Sequence, residues 1–116
     1  MEVVELAIEH ELVGANLIVR LNGELDLVEA AAFKRLVDDL LDRRKVRNLY
    51  VNLAQVTFVD SSFLGALLGR YRRINTQGGR MGIIRTPGPV RPTLELSGVF
   101  RMMAEYGSEQ EALTAG

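Results

Sequence analysis

The stretch Phe58-Val59-Asp60-Ser61-Ser62-Phe63-Leu64-Gly65-Ala66-Leu67-Leu68-Gly69-Arg70-Tyr71-Arg72-Arg73-Ile74-Asn75-Thr76-Gln77 decides how the rest of this 116-residue chain is read. Two bulky apolar residues precede an acid and two hydroxyls, Asp60, Ser61 and Ser62. Beyond them Leu64, Leu67, Leu68, Tyr71 and Ile74 recur at helical spacing. That predicts a helix over Ser61–Gln77, about 25 Å long at 1.5 Å per residue. Gly78 and Gly79 end it, because glycine readily enters the left-handed conformation of a helix terminus. Asp60, Ser61 and Ser62 therefore sit where the first backbone N–H groups lack partners and the helix dipole is positive. A serine hydroxyl there is a cap by default, and the position also accommodates a phosphate. Gly65 and Gly69, four apart, share a helix face, which implies close packing on a neighbouring backbone.

Working outward, Val46 to Leu53 is apolar on both faces and reads as a central strand. Arg80 to Arg85 reads as another, so strand, helix and strand imply a right-handed parallel crossover. Upstream, Leu27 to Arg44 is a helix with Phe33, Leu36, Val37, Leu40 and Leu41 inward. Its outer face carries the i,i+4 pairs Lys34–Asp38, Arg35–Asp39 and Asp39–Arg43, a solvated face first and an interface second. Val4, Leu6 and Ile8 alternate with polar or small residues as a half-buried strand reaching Leu12. After a Gly14-Ala15 turn, Leu17 to Leu21 forms its antiparallel hairpin partner. Asn22 to Asp26 then leaves the sheet, with Gly23 as turn residue and Asp26 as N-cap. Downstream, Pro89 opens a short helix that Pro92 limits and Gly98 caps. Val99 to Met103 supplies an edge strand, and the capping box Ser108-Glu109-Gln110-Glu111 opens a last helix.

The class that emerges is α/β: a single domain over residues 1–116, with an antiparallel hairpin leading into parallel strands and helices packed on the sheet. At 47% hydrophobic and 25% charged residues the composition is that of a soluble globular protein. No apolar run is long enough to span a membrane and no leader opens the chain. The absence of cysteine fits a cytoplasmic setting. Residues 61–116 are net basic and hold Arg70, Arg72, Arg73, Arg80, Arg85, Arg91 and Arg101. Nucleic-acid binding would want interleaved aromatics and a strongly basic balance, but tryptophan is absent and the net charge is −1. The arginines read instead as a solvated helix face. His10, the only histidine, sits on the hairpin as a surface residue, far from any base role toward a serine. No phosphate-binding glycine loop follows a strand. By elimination the chain is not an enzyme, and neither a cofactor nor a metal is expected.

At Asp60-Ser61-Ser62 a likeness becomes specific. Gly23-Glu24-Leu25-Asp26, Val51-Asn52-Leu53 and Phe58-Val59-Asp60-Ser61-Ser62 at a helix head occur in one order. With Leu64-Gly65, Leu68-Gly69-Arg70-Tyr71, Gly78-Gly79, Leu96-Ser97-Gly98 and Ser108-Glu109-Gln110, the whole chain resembles the STAS family. Within it, the chain is most similar to the anti-sigma factor antagonists of the sporulation type. The resemblance implies a single STAS domain: a four- to five-stranded mixed sheet with about four helices. It also implies a non-catalytic, cytoplasmic switch, free of direct nucleic-acid contact or membrane insertion.

In such a switch the unmodified protein binds an anti-sigma factor that is also a serine kinase, releasing a sigma factor. Phosphorylation of the first serine, here Ser61, ends the complex, and a metal-dependent serine phosphatase restores it. The implied partner surface comprises Asp26, Asp60, Ser61, Ser62, Phe63 and Gly65. One position departs from the pattern: the family has glycine where this chain has Phe63. An outward ring there would shield Ser61 at the centre of the docking surface, and that outward placement is the expectation; the alternative is a ring folded back on the domain beside the Leu64–Leu67–Leu68 stripe. The rival reading is a STAS module that never switches, a scaffold subunit of a stress-signalling or membrane-transporter assembly. Retention of both serines favours the switch, and Phe63 favours the scaffold.

Overall fold

Residues 8–115 are described by a computed structural model. Gly14, at φ +60°, turns the chain between β1 (Glu9–Val13) and β2 (Asn16–Leu25), which pair antiparallel. Asp26 starts α1 (Leu27–Arg43), whose inward residues Ala30, Phe33, Val37 and Leu40 lie against the sheet. The chain returns as β3 (Asn48–Val59), then α2 (Ser61–Thr76) and β4 (Met81–Ile84). Two short helices, α3 (Arg91–Ser97) and α4 (Val99–Met102), lead to β5 (Ala104–Tyr106) and α5 (Glu109–Thr114). The strand order is β1-β2-β3-β4-β5, parallel from β2 onward. As its unbroken apolarity predicts, β3 is central, with Leu49, Tyr50 and Val51 all buried.

Alternation along the strands sorts side chains to two faces. Leu17, Val19, Leu21, Leu49, Val51, Leu53 and Ile83 face α1 and α2 and build the main core with Phe33, Phe63, Leu67 and Ile74. The opposite face is smaller, with Tyr50, Ile84 and Ala112 buried beside Tyr106 and Leu113.

Several local expectations are corrected. The proposed alternation at Val4 and Leu6 lies outside the described residues, and β1 itself is exposed on both faces. Asn22 to Leu25 stays in the sheet: Gly23, at φ +77°, sits at register shifts of the β2–β3 ladder, a bulge where a turn was expected. Of the three i,i+4 pairs on α1 only Arg43–Asp39 forms. Asp38 instead meets Arg70 at 3.1 Å and Arg73 at 3.5 Å, and Asp42 meets Arg73. The arginine-rich face of α2 is therefore a seam with α1, and the Arg70 side chain is only 15% exposed.

Past Ile84, α3 begins at Arg91, two residues later than expected, with Val90 as its cap. Pro92 lies in its first turn, where a missing N–H leaves no bond unmade, so it does not limit the helix. Val99 to Met102 is a helical turn where a strand was expected, because Val99 and Met103, four apart, both reach the core. The strand follows at Ala104, and Gly98 (φ +82°) caps α3 as expected.

Candidate functional site

β2 and β3 end together, with Leu25 paired to Val59 and the Asp60 N–H donating to the Leu25 carbonyl at 3.2 Å. The next residue of each strand is an aspartate that caps a helix. Asp26 accepts from the Val28 N–H at 2.9 Å, and Asp60 accepts from the Phe63 N–H at 3.1 Å. Two helix N-termini thus emerge side by side at the carboxyl edge of parallel strands, where α/β proteins gather their sites. Asp60 does the capping, so the default cap role of Ser61 and Ser62 is corrected. The Ser61 side chain is exposed, Ser62 is half-buried, and neither hydroxyl is tied to a described residue.

The two starts differ in charge. α1 carries Glu29 in its first turn, and α5 carries Glu109 and Glu111, but α2 has no acid there. Beyond the Asp60 cap, no first-turn carboxylate answers the positive end of its dipole beside Ser61. At α1 a hydrogen bond from Glu29, and then one from the Val28 N–H, hold the Asp26 carboxyl below its ordinary pKa. The same hydrogen bond, with desolvation second, raises Glu29.

Phe63 is not where it was expected. Its side chain is fully buried, and its ring lies 5.2 Å from that of Phe33 at 53°. It belongs to the core behind Ser61 and not to a docking surface. The reason is its position: Phe63 precedes Ala66 and Leu67 at i+3 and i+4, so it extends the buried stripe. Ser61 and Gly65, also four apart, share the outward face. The close backbone packing expected for Gly65 and Gly69 is absent, since a Cβ on either would meet nothing within 4 Å. They leave a stretch of bare helix surface running away from Ser61.

Three candidate residues at this edge escaped the sequence reading. Leu27 and Val28 are 68% and 60% exposed at the α1 start, and Phe58 is 51% exposed near the end of β3. Their signal was available: each is apolar yet flanks a helix cap, outside the inward stripe of its element. Together they edge the Ser61 surface with apolar area. His10 is exposed on β1, as expected. Among the described residues no group of three or more histidines and acids could hold a metal ion.

A five-stranded mixed sheet whose aspartate-capped helices present Asp60-Ser61-Ser62 at one edge is the architecture of a STAS domain. The STAS domain model matches residues 7–112, and the chain belongs to that family. It is 40% identical over 109 residues to an anti-sigma F factor antagonist of Paenibacillus polymyxa, covering 94% of this chain and 93% of that one. The fold matches the unphosphorylated anti-sigma factor antagonist SpoIIAA with a TM-score of 0.85 at 27% identity, over 94% and 95% of the two chains. The phosphorylated form of the Bacillus protein matches with a TM-score of 0.77 at 26% identity, over 94% and 98%.

Proposed function

We propose that this chain is an anti-sigma factor antagonist whose affinity for its partner is set by phosphorylation of Ser61. The observation that carries the reading is the α2 start: an exposed serine, relieved of capping by Asp60, at a helix N-terminus with no acid in its first turn. The partner is an anti-sigma factor that is also a serine kinase, and the surface it covers centres on Asp26, Asp60, Ser61, Ser62 and Gly65. Leu27, Val28 and Phe58 supply that surface with apolar contact area. The kinase transfers the terminal phosphoryl group of ATP to the Ser61 oxygen, ADP leaves, and the hydroxyl proton passes to a base of the kinase. A metal-dependent serine phosphatase reverses the step, and the cycle runs in the cytoplasm. Catalysis belongs to the partners, and this chain acts by being bound or released.

The energetics suit a switch. A phosphate adds about −1.5 to −2 charges, which open N–H groups and the helix dipole tolerate within the free domain. Burying that charge unpaired against a partner is strongly unfavourable, and a hundredfold loss of affinity needs only about 2.7 kcal/mol. The buried Phe63 removes the feature that favoured a non-switching scaffold, because the ring no longer shields Ser61.

Binding of the purified cognate anti-sigma kinase tests this reading. Ser61→Asp should weaken the complex at least about a hundredfold while leaving the thermal midpoint within a few degrees. Equal affinity for the wild type and the Asp variant would overturn it.

A further inference from the structure

The second face of the sheet is covered by α5, and the way α5 is held is unlike the packing of α1 and α2. It spans six residues, too few to persist alone, and the residue it buries fully is the small Ala112. Leu113 adds a partly buried apolar contact, and the rest of what fixes α5 is polar. The Arg20 guanidinium on β2 grips the Glu109 carboxylate through two bonds, each 2.7 Å. Asn52 on β3 donates to the same carboxylate at 2.8 Å, and Glu11 on β1 accepts from Arg20 at 2.8 Å. At the other end of α5, Arg80 donates to the Ala115 carbonyl at 2.9 Å. Beneath lies a tyrosine-lined patch, where Tyr50 and Tyr106 meet edge to face at 5.8 Å above Ile84. Gly82 belongs to it as well, because a Cβ there would strike the Tyr106 ring at 2.5 Å.

We propose that α5 is a latch: a cover that opens as a unit, fastened by the Arg20–Glu109–Asn52 clamp, whose release bares the Tyr50–Tyr106–Ile84 patch while the Ser61 face stays intact. The separation follows from the two cores. The clamp lies on the face opposite α1 and α2, and the Phe33–Phe63 contact and the Arg70–Asp38 pair remain when it opens. Gly107 and Ser108 form the hinge. There the Ser108 hydroxyl accepts from the Glu111 N–H and Glu111 accepts from the Gly107 N–H at 2.9 Å, contacts internal to the cover. Once freed from the sheet its six residues do not hold a helix, so its amides exchange on opening. Such a latch lets the second face of the sheet open separately from phosphorylation at Ser61.

Hydrogen exchange read by mass spectrometry tests this on the full chain. Glu109→Gln should speed exchange of the backbone amides at 109–115 at least about tenfold and leave those of α1 and α2 unchanged. Arg20→Lys, which keeps the charge but loses the two-pronged grip, should act in the same direction with smaller size. A limited digest of Glu109→Gln should cut first near Gly107. Unchanged exchange in α5 would overturn the proposal, and so would a rise shared equally by α1, α2 and α5, because α5 would then open only with the whole domain.

Discussion

The starts of α1 and α2 are built alike and furnished differently. Both follow paired strand ends, both are capped by an aspartate, and both helices pack on one face of the sheet. At α1 the first turn shows two apolar side chains to solvent and settles its dipole with Glu29. At α2 the first turn shows a hydroxyl, buries a phenyl ring and adds no acid to the Asp60 cap. One is a finished helix start with a sticky edge, and the other is a helix start that still has room for a negative charge. The lesson is that an N-terminus becomes a candidate switch through what its first turn omits.

The difference breaks most severely at Phe63, which fixes the α2 first turn from behind. Phe63→Ala should lose about 3–5 kcal/mol in a denaturant melt, the range for emptying a buried aromatic site. A loss below about 1 kcal/mol would mean that the turn is not held from the core. Next in size is the apolar edge of α1. Leu27→Ser with Val28→Ser should weaken binding of the anti-sigma kinase by about 1–3 kcal/mol, as expected for losing two partly covered aliphatic side chains. Stability should move by no more than about 0.5 kcal/mol for each change, since both side chains are exposed in the free domain. Calorimetric titration beside a melt separates the two.

Making α2 resemble α1 gives a smaller effect. Ser62→Glu should stabilise the fold by about 0.3–1 kcal/mol by filling the open end of the dipole. The same variant should slow phosphorylation of Ser61, because the added carboxylate repels the incoming phosphate. A destabilised variant would show that the α2 start was already satisfied. The smallest change is at the neighbouring carboxyls Asp26 and Glu29 of the α1 start. Asp26→Asn removes the partner that raises Glu29, so the Glu29 carboxyl, followed by NMR, should titrate at lower pH than in the wild type. The sign is fixed by linkage. With its folded pKa raised, Glu29 favours the fold below its unfolded value and loses that contribution as pH rises through the folded one. Asp26, depressed, contributes in the opposite sense, present above its unfolded value and lost as pH falls.

Much of this was legible in the chain because local and tertiary preferences agree. Periodicity placed α1, α2 and the central β3, and the order of short motifs around Asp60-Ser61-Ser62 led to the family. The misses share a physical cause, in that local chemistry allowed two outcomes and packing chose. Gly23 suits a turn or a bulge, and pairing with β3 decided for the bulge. Val99 to Met103 has strand-like residues, but after the left-handed Gly98 only a helical turn brings both ends to the core. Phe63 was read against a family glycine, when its spacing to Ala66 and Leu67 already placed it inward. Gly65 and Gly69 were read as packing glycines, although what they provide is open surface. The cross-helix pairs of Asp38 and Asp42 needed the relative placement of α1 and α2, which no single-helix pattern contains.

The central claim is that Ser61, in the vacancy of the α2 start, is the phosphoacceptor. It is tested most directly by incubating the protein with its cognate anti-sigma kinase and ATP and mapping the product by fragmentation mass spectrometry. One phosphate should appear, on Ser61, and Ser61→Ala should abolish it. Phosphate on Ser62, or on Ser61→Ala at the wild-type level, would contradict the account.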